Sequence, residues 1–123
     1  MLVPRWMECR RLEDLFLTTV SEAEMGSRQA LMAAGRHRSD LGEAIERVMR
    51  DFFFDRVLSS DRAAAATYSE LSATRRREGR TISFPDAQIA AVAPERQMAV
   101  ATRNGDDFLG CGVRLIDPGA ALP

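Results

Sequence analysis

Lysine is absent from this chain of 123 residues; all 17 basic residues are arginine. Against 18 acids they leave a formal net charge of -1. No overall basic field therefore points to nucleic acid. The arginine bias accompanies abundant alanine and fits genomic base composition better than a binding surface. Histidine occurs once, at His37, and cysteine twice, at Cys9 and Cys111. These cannot supply a zinc-type ligand set. Two lone cysteines are expected to be buried, reduced residues rather than a disulfide. No apolar run is long enough to span a bilayer, and no signal peptide opens the chain. The expectation is a cytoplasmic protein with no membrane partner. Its 46% hydrophobic and 28% charged residues are those of a globular chain. The length fits one domain over residues 1–123, with 118–123 as a flexible tail.

What is present reads as alternating strands and helices. "DLFLTTV" (residues 14–20) is a short apolar, β-branched run of the kind buried in parallel sheets. A helix follows, with Ser21 as its expected N-cap and Gly35 as its stop. "SDLGEAIERVMRDFF" predicts a second helix, with Leu41, Ile45, Val48, Met49 and Phe52 on one face. Asp40 and Glu43 make a capping-box pattern at its start. "RVLS" predicts a short strand. A long helix is expected from about Asp61 to Gly79, and a shorter one over "PDAQIAAVA" that Pro94 ends. "QMAVAT" (97–102) and "GVRLID" (112–117) predict two more strands. Strands interspersed with helices argue for an α/β fold with a mostly parallel sheet. Three consecutive phenylalanines, Phe52 to Phe54, cannot all face one helical stripe, so at least one is expected to be exposed or covered by a partner.

A helix that precedes a strand in such a fold runs antiparallel to it. The start of helix 86–93 should then lie beside the end of strand 97–102. Asp86 sits at the first; Asn104, Asp106 and Asp107 follow the second. Glu22 and Glu24 follow strand 15–20 in the same sense. Ligands bind at this edge in open α/β sheets. Carboxylates crowded there would favour a divalent cation with oxygen ligands, Mg²⁺ or Mn²⁺. Each acid also has a purely structural role. Glu24 fits a capping box with Ser21 or a pair with Arg28, Asp86 suits a helix first turn, and 104–107 fits a turn. Arg75, Arg76, Arg77 and Arg80 read as a solvated helix end that complements the helix dipole.

The same residues resemble PIN-domain ribonucleases, specifically the toxins of VapBC-type toxin–antitoxin modules, from about Trp6 to Pro118. "LFLTTVSEAEM" is similar to the family's second strand and acid-bearing helix, which places that acid at Glu24. "RTISFPDAQIAAVA" resembles the segment carrying the next acid, Asp86. "MAVATRNGDDF" followed by "GVRLIDP" resembles the closing block and is the most specific part. The resemblance implies a three-layer fold and a Mg²⁺- or Mn²⁺-dependent endoribonuclease toxin with a cognate antitoxin and an RNA substrate. It assigns Glu24, Asp86 and Asp107 as metal ligands, with Asn104 at the catalytic site beside them. The division of the last acid position between Asn104 and Asp107 stays open. Thr102 and Arg103 would orient or contact substrate, Arg103 through a phosphate. A homodimer is a further expectation.

One departure bears on activity. The family opens with an apolar strand ending in Asp, in a pattern like Asp-Thr-Asn. This sequence opens "MLVPRWMECRRLEDLFL", which resembles the following helix, and it holds no Asp-Thr-Asn. The resemblance then implies that the first, central strand and its Asp are missing, that the sheet is distorted or slotted, and that ribonuclease activity is impaired. The alternative is an inactive PIN-domain remnant that binds an antitoxin or dimerises.

Overall fold

The computed structural model describes residues 5–118. The expected tail lies outside them, apart from Pro118. The chain clusters into two compact units, one ending at Leu58 and the other starting at Ser59.

The first unit comprises α1 (Arg5–Glu8), a 3-10 turn (Leu12–Asp14), β1 (Leu17–Thr18), α2 (Thr19–Ala30), α3 (Arg36–Phe52) and β2 (Val57–Leu58). β1 and β2 pair in parallel, Leu17 opposite Val57 and Thr18 opposite Leu58. The strand expected over 15–20 is thus shorter, because Thr18 already caps α2. Its Oγ1 accepts the Ser21 N–H at 3.0 Å. Ser21 is therefore inside the helix rather than its N-cap. α2 also ends before Gly35, at Ala30. Gly35 instead occupies the N-cap of α3 with φ 145°, a conformation open chiefly to glycine. Because the helix begins at Arg36, Asp40 and Glu43 lie within it and form no capping box. The predicted apolar face of α3 is turned inward, with Val48 buried and Leu41, Ile45, Met49 and Phe52 half-buried. Past its end, Phe53 is 6% exposed and Phe54 81% exposed. The Arg56 guanidinium ties the unit together: Nε donates to the Leu15 carbonyl at 3.0 Å and Nη2 to the Phe52 carbonyl.

The second unit comprises α4 (Arg62–Arg77), α5 (Phe84–Val92), a 3-10 turn (Pro94–Arg96), β3 (Val100–Ala101), a 3-10 turn (Gly105–Phe108) and β4 (Leu115–Ile116). Asp61 caps α4, its Oδ1 accepting the Ala64 N–H at 2.8 Å. Ser83 caps α5, and Pro85 occupies its first turn, where a missing N–H costs nothing. α4 and α5 pack on small side chains: Ala64, Ala90 and Ala91 are each 0% exposed. Alanine here lets the two backbones approach closely. Leu71 and Arg75 extend the buried face of α4. β3 and β4 pair in parallel, Val100 opposite Leu115 and Ala101 opposite Ile116. Both expected strands are shortened by local turns. Gln97 adopts a left-handed φ of 54°, and the Met98 N–H returns to the Ala93 carbonyl at 3.0 Å, so pairing starts only at Val100. Gly112, with φ 76°, delays the second strand in the same way. Among the described residues the strands form two separate parallel pairs, β1–β2 and β3–β4.

Candidate active site

The parallel register of β3 and β4 decides what meets at their C-terminal edge. The Thr102 N–H continues the ladder to the Ile116 carbonyl at 3.0 Å. The chain then turns: Thr102 Oγ1 accepts the Asn104 N–H at 3.0 Å, and the Asn104 carbonyl accepts the Asp107 N–H at 3.0 Å. Phe108 is buried and anchors the turn beneath. α5 packs against this turn. The result is an open depression of about 440 Å³ lined by Arg103, Asn104, Gly105, Asp106, Asp107 and Asp117.

Arg103, Asn104 and Asp107 are therefore brought together as the sequence suggests. Thr102 braces the backbone of the turn instead of lining the depression. Asp86 stands in the first turn of α5, half-buried, and is not among the lining residues. Its N–H donates to Ser83 Oγ at 3.3 Å, consistent with a helix-start role. Glu24 belongs to the other unit and is exposed on α2. Because Thr18 is the cap, Glu24 is too far along the helix to close a capping box. Nor, among the described residues, does it pair with Arg28. Both structural roles weighed for it fall away.

Asp117 is the lining residue that sequence reasoning passed over. It follows β4 directly, and the pairing of Ala101 with Ile116 sets it beside the start of the 102–107 loop. Only the register reveals that neighbour. The donor set is hard: carboxylates of Asp106, Asp107 and Asp117 and the amide oxygen of Asn104. Such oxygens suit Mg²⁺, which keeps several waters and commonly takes only one or two carboxylates. A closed cage is not built. Among the described residues no three His, Cys, Asp or Glu side chains are grouped so as to hold an ion. Arg103 adds an exposed guanidinium at the rim, a group fitted to phosphate.

No protein-family model matches the sequence. Individual relatives do. The plasmid stability protein StbB of Pseudomonas syringae pv. tomato is 36% identical over 92% of this chain and 81% of its own length. The toxin FitB of Neisseria gonorrhoeae is 30% identical over 94% of this chain and 84% of its own. The VapC ribonuclease Y4jK of Sinorhizobium fredii is 31% identical over 92% and 81%. Among solved structures, FitAcB from Neisseria gonorrhoeae superposes with a TM-score of 0.84 at 30% identity, covering 94% of this chain and 83% of that one. VapBC-5 from Mycobacterium tuberculosis, a member of the VapBC family of toxin–antitoxin systems, gives 0.67 at 27% identity, covering 82% and 78%. The parallel α/β elements, the acid-bearing turn after β3 and these likenesses agree: the chain belongs to the PIN-domain family of VapC and FitB toxins.

Proposed function

We propose that the chain is a toxin whose activity is Mg²⁺- or Mn²⁺-dependent cleavage of RNA, held in check by a cognate antitoxin in the cytoplasm. The observation that carries this reading is the depression at the ends of β3 and β4, where three aspartates, one asparagine and one arginine converge in a chain of this family. Asp107 is the ligand proposed there, oriented through the Asn104 carbonyl that fixes its backbone. Asp86 is proposed as a further ligand, directly or through water; Glu24, on the first unit, is proposed as a metal-binding acid on the family resemblance alone. Arg103 would neutralise a substrate phosphate from the rim, and Thr102 would hold the loop that presents Asn104. A divalent cation bound at such carboxylates supplies Lewis acidity toward a phosphodiester. The open form of the depression leaves room for an RNA backbone.

A second reading has its own support. Three aspartates line the depression, but among the described residues they are not drawn close enough to hold an ion as they stand, and a loosely formed site favours weak cleavage or none. In that case the chain serves as an antitoxin-binding or dimerising module. Exposed Leu31 and Phe54, both in the helical first unit, suit an apolar partner such as an antitoxin segment or a second copy. Induced expression separates the readings. Growth arrest with new RNA 5′ ends, relieved by Asp107→Asn, is the expected result. Arrest that persists in Asp107→Asn, Asp86→Asn and Glu24→Gln alike, or an absence of new RNA ends, would favour the binding module.

A further inference from the structure

We infer that Arg75 is the positioning residue of the acid-bearing turn; this deepens the ribonuclease reading and rests on it only for its consequence in catalysis. Arg75 lies in the last turn of α4, yet it is 4% exposed. Its neighbours Arg76, Arg77 and Arg80 are exposed, as the sequence led one to expect for the whole cluster. A buried guanidinium must find acceptors for its donors or the burial is severely unfavourable. Here it finds them on two separate segments. Nε donates to the Arg80 carbonyl at 2.9 Å and Nη2 to the Thr81 carbonyl at 3.3 Å, on the link between α4 and α5. Nη1 donates to the Leu109 carbonyl and lies 3.6 Å from Cys111 Sγ, on the segment just past the turn.

Leu109 is the connection to the site. Its carbonyl accepts a second guanidinium, from Arg80 Nη2 at 3.0 Å, and its N–H donates to the Asp106 carbonyl at 3.4 Å. The Cys111 N–H donates to the Phe108 carbonyl at 3.2 Å. Backbone held at 109–111 thus fixes the exit of the 105–108 turn, which presents Asp106 and Asp107. The opposite end of that turn is fixed by Thr102 Oγ1. The planar fork matters, because carbonyls on two segments are served at once. A lysine ammonium carries charge without that geometry.

Arg75→Lys in the full chain tests this, read by hydrogen exchange resolved to peptides. Exchange over 105–111 is expected to accelerate about tenfold or more, while 64–71 of α4 and 87–92 of α5 keep their protection. RNA cleavage is expected to lose on the order of 10–100-fold in kcat with KM nearly unchanged, since a displaced ligand affects chemistry more than binding. Arg80→Ala removes only the exposed partner of Leu109 and should give a smaller change at the same peptide; it serves if Arg75→Lys does not fold. Equal acceleration across the second unit would overturn the inference, leaving Arg75 as general core support. Unchanged exchange at 105–111 would overturn it as well. If the parent chain cleaves no RNA, the ribonuclease reading falls, and the exchange pattern still decides the role of Arg75.

Discussion

Phe53 and Phe54 are adjacent in sequence and opposite in environment, which makes them a direct test of how the end of α3 packs. Phe53→Ala removes a buried ring and should cost about 3–5 kcal/mol in urea unfolding. Phe54→Ala should change stability by no more than about 0.5 kcal/mol, because its ring is already in solvent. Equal losses would mean that Phe54 is covered in solution, as by a second copy. Thr18 makes a smaller claim. Thr18→Ala should cost about 1 kcal/mol, whereas Ser21→Ala should cost less, since Thr18 and not Ser21 caps α2. At this scale the sequence reading was uneven for clear reasons. An exposed phenylalanine in the run of three was foreseen from helical geometry, although the exposed one, Phe54, lies past the end of α3. The cap of α2 did not, since Thr18, Thr19 and Ser21 are all competent and only the backbone path chooses. Arg75 was unreadable as a buried residue, because an arginine at a helix end is ordinarily solvated and one of its acceptors, the Leu109 carbonyl, lies far along the chain.

At the scale of elements, α4 and α5 pack against each other and carry the fully buried alanines of the second unit. Ala90→Leu should destabilise the protein by about 1–3 kcal/mol through overpacking, read as a lower thermal midpoint. No loss would show that the helices have room to part. These helices were largely legible. Asp61, Gly79 and Pro94 punctuate them as composition suggests, and α5 begins one residue ahead of Pro85. The strands were legible in place and direction but not in length. Each ladder is two residues long because a cap at Thr18, a left-handed Gln97 and a left-handed Gly112 consume the rest of each apolar run. The candidate site inherits that division. Asn104 and Asp107 could be found from one contiguous motif. Asp117 could not, since its proximity is a property of the β3–β4 register.

At the scale of the whole molecule, membership of the VapC and FitB toxin family sets the frame, and the acid-lined depression gives it chemical content. No helix among the described residues is long and apolar enough to cross a membrane. If divalent cations bind the folded chain, Mg²⁺ or Mn²⁺ should raise the thermal midpoint, and Asp107→Asn should shrink that rise. Asp117→Asn should shrink it too if the register-placed aspartate shares the cation. Glu24→Gln and Asp86→Asn extend the test to the proposed ligands outside the depression; a metal response untouched by all four would remove these acids from metal binding. The most direct measurement is the single-turnover rate at which the 123-residue chain cleaves a labelled RNA when Mg²⁺ is added, beside Asp107→Asn under identical conditions. Slow cleavage is expected that stops with EDTA and falls on the order of 10–100-fold in the variant; cleavage that proceeds equally in EDTA, or at the same rate in Asp107→Asn, would overturn metal-dependent cleavage at this turn.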